Sequence, residues 1–214
     1  MKKLVTIIMA VVLMISLAAC GETKKPTEEI SDSTEVTTEN STTEKSETEG
    51  NTTVENGKNI SVLFFSVTGT TRNVAQKIAG TLGTDTMEII PKEEYTSDDI
   101  DYSNDDCRAN KEMKDESSRP EIKNDLSKVE NSDTIYIGYP IWWGTAPRII
   151  QTFFESYDLK GKTVYLFCTS GGSGIEQSVS DLQKLYPDVN IAAGKRFDGN
   201  VTEEEVNNWT NGVK

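Results

Sequence analysis

The chain has 214 residues with 22 basic and 35 acidic side chains, a formal charge of −13. This length suits one domain of ordinary size with extensions, and the acidic balance excludes a basic nucleic-acid-binding surface. Because the sequence has no histidine, Ser-His-Asp and Cys-His catalysis, His-ligated zinc and His-ligated haem are excluded. Three cysteines are too few for a four-cysteine metal site or a disulfide-rich scaffold. Chemistry must therefore come from hydroxyls, carboxylates, backbone groups or an organic cofactor.

The first twenty residues have the pattern of an export signal. Sixteen uncharged residues, 4–19, follow the basic start Met1-Lys2-Lys3, and this run is short for a membrane span but typical of a signal peptide. It ends in Leu-Ala-Ala-Cys-Gly, which resembles the lipobox of bacterial lipoproteins, whose cysteine is acylated and becomes the new N-terminus. We expect residues 1–20 to be a lipoprotein signal that anchors the protein through Cys20 to the outer side of the cell membrane. An ordinary signal peptide and an uncleaved anchor helix are the alternatives.

Residues 21–57 have the composition of a disordered linker. They include fourteen Ser or Thr, ten acidic residues and no aromatic residue, so they cannot bury enough apolar surface to offset the cost of ordering. A flexible chain of this length has a root-mean-square reach of about 30–37 Å. We expect a solvated tether between the lipid anchor and a globular domain.

Residues 58–214 have the pattern of a globular α/β domain. Short apolar, β-rich runs at 60–65, 86–90, 134–138, 163–168 and 189–192 predict five strands. Helical spacing or composition predicts helices at 71–82, near 104–114, and at 147–157, 175–185 and 203–211. This alternation indicates βαβ units, a parallel sheet and a three-layer α/β/α sandwich. Ligands of such sheets bind at the loops that leave the carboxyl ends of the strands.

The first such loop, residues 66–72, is rich in hydroxyls. Ser66, Thr68, Thr70 and Thr71 surround Gly69 at a predicted helix N-terminus, where backbone N–H groups and hydroxyls favour an anion. The loop matches neither the Walker pattern nor the GxGxxG fingerprint. The simpler alternative is that Thr70 or Thr71 caps the helix while Gly69 makes the turn. Arg72 would neutralise a phosphate or lie on the solvated helix surface.

The second and third loops have the composition expected around a planar ligand. The second, residues 138–147, contains the adjacent Trp142 and Trp143, which either cover the core or face an aromatic ligand. The third, residues 169–174, consists of Ser, Thr and Gly, which allow close backbone approach to a ligand or simply form a flexible turn. Together the three loops predict a ligand that is phosphorylated, planar and aromatic.

These residues carry a resemblance to a known family. With its Gly-Tyr-Pro-x-Trp-Trp-Gly loop at 138–144, the sequence resembles one branch of the flavodoxins, from residue 58 to about 199. Glu94-Tyr95, Arg119-Pro120 and Thr169-Ser170-Gly171-Gly172 belong to the same resemblance. It implies a five-stranded parallel sheet of order 2-1-3-4-5 and the cofactor FMN, with phosphate at the first loop, one ring face at the second and the ring edge at the third. The implied FMN-binding residues are Ser66, Thr68, Gly69, Thr70 and Thr71; Pro140, Ile141, Trp142, Trp143 and Gly144; and Thr169, Ser170, Gly171, Gly172 and Gly174.

Three functions are compatible with this interpretation. The first is a membrane-tethered FMN protein that carries electrons between redox partner proteins, with no contact to nucleic acid. The second is an FMN-dependent NAD(P)H or quinone oxidoreductase that acts on a small acceptor, and the third is a lipoprotein that binds something other than flavin. The third loop has neither an aromatic residue nor a carboxylate, so the expected ring neighbours are Tyr139, Trp142 and Trp143. We therefore expect an open ring face and weak repulsion of the reduced, anionic flavin.

No catalytic residue and no metal ligand set is predicted. The acidic residues at 98–106 lack the spacing of a calcium loop, and a solvated surface explains them. Cys107 lies among charged residues and is expected to be an exposed thiol, whereas Cys168 ends an apolar strand and is expected in the core. Phe153 and Phe154 are expected on the buried side of their helix.

Overall fold

The computed structural model describes residues 54–55 and 58–213. The predicted signal sequence, Cys20 and almost all of the predicted linker lie outside the described residues. Five parallel strands form the sheet: β1 Lys58–Phe64, β2 Thr86–Glu88, β3 Thr134–Pro140, β4 Thr163–Thr169 and β5 Asn190–Phe197. Their spatial order is 2-1-3-4-5, as predicted, and the two-residue strand Val54–Glu55 pairs antiparallel with the start of β1.

Five α-helices connect and cover the strands. They are α1 Thr70–Leu82, α2 Arg108–Lys114, α3 Arg148–Ser156, α4 Glu176–Leu185 and α5 Glu203–Gly212. Short 3-10 turns occur at Asp98–Ile100 and Ser127–Asn131. No helix among the described residues is long and apolar enough to cross a membrane.

Two hydrophobic clusters fill the two faces of the sheet. On β1, Val62 and Phe64 point to the cluster under α1 and α5, whereas Leu63, and Phe65 directly after the strand, point to the cluster under α2, α3 and α4. This alternation follows from the two-residue period of a strand, whose successive side chains face opposite sides of the sheet. A strand covered on both faces is apolar at nearly every position, which explains the run of apolar residues from Val62 to Phe65 at the end of β1.

The last strand is longer than its sequence indicated. The expected strand ended at residue 192, but β5 continues to Phe197 through Lys195 and Arg196. Because β5 pairs only with β4 at the edge of the sheet, several of its side chains are exposed and polar. A polar edge strand lacks the apolar run by which buried strands are recognised.

The two cysteines in the domain are both buried and unpaired. The expectation that Cys107 is exposed was wrong, because its side chain caps α2 by accepting a hydrogen bond from the Asn110 N–H and packs in the core. Cys168 lies in the core as predicted, and burial raises the pKa of its thiol to about 12. Phe153 and Phe154 are buried on α3, also as predicted.

Candidate cofactor site

The three predicted loops meet at one cleft beyond the carboxyl ends of β1, β3 and β4. The cleft has a volume of about 320 Å³, within the usual range of small-molecule sites. Its walls combine hydroxyls, small residues and aromatic rings, contributed by Ser66, Val67, Thr68, Thr70, Thr71, Ile100, Tyr102, Pro140, Trp142, Thr169, Ser170, Gly171 and Gly199. Most of the predicted residues of the first loop therefore converge with residues of the other two.

The first loop presents an uncapped helix N-terminus to the cleft. Gly69 precedes α1 with φ 87°, and no side chain caps the helix, so the capping role considered for Thr70 or Thr71 is not observed. Gly69 N–H instead donates to Ser66 Oγ at 3.1 Å, and the hydroxyls of Thr68 and Thr70 lie 3.2 Å apart. The first turn of α1 contains no acidic residue, so its positive dipole end is free to attract an anion.

Arg72 lies beside the first loop, where an ion pair holds its side chain outside the cleft wall. Its guanidinium lies 2.6 Å from Glu88 Oε1 and over the Phe64 ring. This ion pair lines a neighbouring pocket rather than the cleft. The cleft wall itself therefore offers an anion the helix N-terminus and the hydroxyls, while the Arg72 guanidinium lies next to Gly69 of the same loop.

The second loop separates its two tryptophans. Trp142 is 2% exposed, lies edge-to-face with Phe65 and Tyr95 at 5.6 and 5.3 Å, and still lines the cleft. Trp143 is 47% exposed and does not line the cleft. Tyr139, expected at the flavin ring, is instead fully buried. Its hydroxyl shares a hydrogen bond of 2.9 Å with the Ser178 hydroxyl, and burial raises the pKa of the Tyr139 hydroxyl.

A tight turn causes this separation. Trp142 and Thr145 exchange two backbone hydrogen bonds of 3.0 Å, and both central residues, Trp143 at φ 49° and Gly144 at φ 81°, have positive φ. That is the pattern of a type I′ turn. Of the predicted second-loop residues, Ile141 packs on the core and Gly144 lies in the turn, so neither lines the cleft.

The third loop is held in place by Arg196 of β5. The Arg196 guanidinium donates to Ser170 Oγ at 3.1 Å and to Ser170 O at 3.3 Å, and pairs with Asp198 at 2.7 Å. The Ser170 hydroxyl donates to Ser173 O. Sequence reasoning missed Arg196 because it lies in the part of β5 that was not recognised as a strand.

The predicted residues of the third loop divide into two groups. Thr169, Ser170 and Gly171 line the cleft, while Gly172 and Gly174 do not. An added Cβ at Gly171 or Gly172 would meet no protein atom within 4 Å, whereas one at Gly174 would collide with Glu176. That collision is with the carboxylate end of the flexible, exposed Glu176 side chain, which can turn away, so packing does not require glycine at position 174.

The connection between β2 and β3 supplies a cleft residue that the sequence did not indicate. Tyr102 lines the cleft, is 56% exposed, and contacts Trp143 at 4.9 Å between ring centroids. The expectation that only the second loop provides aromatic residues was therefore wrong. Tyr102 stands alone among acidic and polar residues, and only the tertiary structure carries it to the cleft.

The same connection carries two carboxylates next to a residue that lines the cleft. Asp99 and Asp101 flank Ile100, which lines the cleft. Backbone and side-chain hydrogen bonds from Thr96 lower the pKa of Asp99, and side-chain and backbone hydrogen bonds from Ser103 lower that of Asp101. Both groups are negatively charged at neutral pH, so the cleft is less free of acidic groups than the third loop alone suggested.

The described residues contain no group of His, Cys, Asp or Glu arranged to hold a metal.

Comparisons with known proteins agree with this geometry. A family model described as flavodoxin matches residues 59–213. A candidate flavoprotein from Bacteroides eggerthii DSM 20697 is 43% identical with TM-score 0.70, covering 73% of this chain and 98% of that one. One from Bacteroides uniformis ATCC 8492 is 41% identical with TM-score 0.69, covering 71% and 97%. A flavoprotein from Lactobacillus acidophilus NCFM, solved in complex with FMN, is 25% identical with TM-score 0.56, covering 72% and 99%. No match was found among curated proteins.

Proposed function

Because the chain belongs to the flavodoxin family, we propose that it binds FMN in the cleft at the carboxyl ends of β1, β3 and β4 and transfers electrons. The observation that supports this most is the convergence of an uncapped helix N-terminus, a ring of hydroxyls and aromatic side chains on one cleft. FMN joins a phosphate to a planar ring and needs these features together. The Lactobacillus acidophilus relative, whose structure contains FMN, supports the choice of cofactor.

Each part of the cleft has a defined role in this proposal. The hydroxyls of Ser66, Thr68 and Thr70 and the first-turn N–H groups of α1 hold the phosphate, because preorganised neutral donors bind an anion even on an acidic protein. Trp142 provides an apolar wall, and Gly171 leaves room for close approach by the ring. Bound FMN supplies one- and two-electron transfer. The protein positions it and adjusts the local charge.

A comparison of two flavins tests the phosphate site. We expect Thr68→Val to weaken FMN binding about tenfold or more, because hydrogen bonds to charged groups contribute about 1.5–3 kcal/mol. Riboflavin, which has no phosphate, should bind equally to wild type and variant. Thr81→Val, at the other end of α1, is the matched control and should bind both flavins normally. Absence of an FMN absorption spectrum on wild-type protein after reconstitution would reject the proposal.

We also propose that the protein is exported and held at the outer side of the membrane by acylated Cys20. The support is the short apolar run ending in a small-residue–Cys site. Mass spectrometry should find a mature chain that begins at a lipid-modified Cys20, and Cys20→Ser should move the protein from the membrane to the soluble fraction. An unmodified Cys20 in the wild-type chain contradicts this.

A second candidate function is FMN-dependent reduction of a small acceptor such as a quinone, with NAD(P)H as donor. Residues 171–174 of the third loop are exposed and carry no bulky side chain, which leaves this side of the cleft accessible to a planar molecule. NAD(P)H oxidation by FMN-loaded protein, with and without quinone, distinguishes the candidates. Turnover favours the oxidoreductase, whereas oxidation and reduction by partner proteins alone favour the carrier.

A further inference from the structure

We propose that Tyr102, from the connection between β2 and β3, contacts the flavin ring, and that Trp143 supports Tyr102 from outside the cleft. This inference rests on the proposed FMN site. It reassigns the roles expected from sequence, in which Trp143 borders the ring and the β2–β3 connection contributes nothing. It also supplies an aromatic wall that the third loop lacks.

Two exposed aromatic rings lie together at the rim of the cleft. Tyr102, Trp143 and Leu185 are the large apolar side chains most exposed among the described residues. Leu185 borders a separate pocket, whereas Tyr102 and Trp143 touch each other at the rim of the cleft, at 4.9 Å and 71° between ring planes. Only Tyr102 of the two lines the cleft. Two large rings left in solvent at one rim indicate a surface that a ligand covers.

The segment that carries Tyr102 is anchored beside the cleft. Its inner end is fixed by Tyr95, which packs against Trp142 and donates its hydroxyl to Glu112 at 2.5 Å. Glu112 also pairs with Arg108 at 2.6 Å, and the Arg108 guanidinium lies over the Tyr95 ring. The adjacent tryptophans thus each meet one tyrosine of the connection: Trp142 meets Tyr95 in the interior and Trp143 meets Tyr102 at the surface.

The outer end of the segment is held as well. The Asn110 side chain donates to Asn104 O at 2.6 Å, and Cys107 N–H donates to the same carbonyl at 3.0 Å. Asp101 accepts hydrogen bonds from the N–H and hydroxyl of Ser103 at 3.0 and 2.7 Å. Tyr102 is therefore presented from bonded turns on both sides, which lowers the entropy lost when its ring orders against a ligand.

The backbone of Trp143 has an unusual conformation. Trp143 is the one described residue other than glycine with positive φ, and the first central position of a type I′ turn strongly favours Asn, Asp or Gly. A bulky residue in this conformation is strained. Because Trp143 is half exposed and outside the core clusters, packing in the interior does not explain its strained backbone. The contact that Trp143 makes with Tyr102 at the rim does explain it.

Flavin titrations of the full-length protein test this inference. Tyr102→Leu should weaken both FMN and riboflavin about tenfold, which corresponds to about 1.4 kcal/mol, because the flavin ring would lose its contact with an aromatic side chain. It should also make bound flavin more fluorescent, because a stacked phenol quenches the ring by electron transfer. Tyr102→Phe keeps the ring and should bind both flavins as wild type does. Trp143→Leu should produce a smaller loss for both.

The outcomes separate this inference from the proposed function. Wild-type protein that binds no FMN overturns both. Wild-type protein that binds FMN, combined with unchanged flavin affinity and fluorescence in Tyr102→Leu, overturns this inference alone. Loss of FMN affinity with unchanged riboflavin affinity in Tyr102→Leu also overturns it, because Tyr102 would then act on the phosphate.

Discussion

The hydroxyl oxygens of Thr71 and Thr169 lie 2.8 Å apart in the interior, although the two residues are 98 positions apart in the chain. Thr71 belongs to the first turn of α1 and Thr169 is the last residue of β4, so this bond ties the first loop to the third. Both residues are almost completely buried and also line the cleft. The hydrogen bond therefore fixes the distance between the proposed phosphate and ring-edge subsites.

This bond predicts a non-additive pair of substitutions. Thr71→Val or Thr169→Val leaves one buried hydroxyl without its partner, which should lower the free energy of unfolding by about 1–3 kcal/mol. The double variant removes both hydroxyls at nearly constant shape, so its loss should be smaller than the sum of the two single losses. Denaturant unfolding of the four proteins measures this. Additive losses would mean that the hydroxyls do not interact.

Adjacent glycines in the third loop predict an effect on binding without an effect on stability. Neither Gly171 nor Gly172 has positive φ, and an added Cβ meets no protein atom at either position. Gly171→Ala should therefore unfold like wild type but bind FMN more weakly, because Gly171 lines the cleft. Gly172→Ala is the matched control and should leave both properties unchanged. Equal FMN affinity in both variants would show that the ring does not approach Gly171.

Trp143→Asn should stabilise the protein in the absence of flavin. Asn tolerates positive φ and, before Gly144, completes the favoured Asn-Gly type I′ turn, so we expect a gain of up to about 1 kcal/mol in the free energy of unfolding. Thermal and denaturant unfolding of flavin-free protein measure it. The same variant should bind flavin more weakly, which is the usual conflict between stability and function at a strained site. A less stable variant would contradict relief of strain.

Charge at the rim should influence the reduction potential of bound FMN. We expect combined Asp99→Asn and Asp101→Asn to raise it, because carboxylates near the ring repel the negative charge gained on reduction. The rise should be larger at low salt, since Asp101 is exposed and Asp99 is partly exposed, and salt screens charges that solvent reaches. Their lowered pKa values keep them charged, so the difference between wild type and variant should persist as pH falls and shrink only below the ordinary Asp range. A reduction potential that stays the same at low salt would contradict this prediction. Asp188→Asn, elsewhere on the surface, is the control and should leave the reduction potential unchanged.

Cys168 should be unreactive in the folded protein. Burial raises the pKa of its thiol to about 12, and alkylation requires an accessible thiolate. Peptide mapping after iodoacetamide treatment at pH 8 should find Cys168 modified only in denaturant. Because this pKa is raised by folding, the stabilisation it represents is present below the unfolded-state pKa and is lost as pH rises toward 12. The free energy of unfolding should fall less steeply over that range in Cys168→Val, and identical slopes would contradict this.

The sequence by itself predicted the α/β class and the three loops that meet at the cleft, and the family resemblance implied the strand order. Largely apolar runs identify β1, β3 and β4, since strands covered on both faces are apolar at nearly every position. The order of the strands places the loops after them at one edge. The hydroxyl-rich first loop and the small residues of the third therefore lie where their composition predicted.

Only the tertiary structure decided which of two adjacent tryptophans faces the interior, because two residues at positive φ reverse the chain between Trp142 and Thr145. It also decided that Tyr102 lines the cleft and that Arg196 holds Ser170, since both come from segments whose polar composition gives no periodic signal. The spacing of apolar residues in the sequence shows which side of a single helix or strand is buried. A contact between distant elements depends on where their backbones pass, and that is set by the packing of the whole domain.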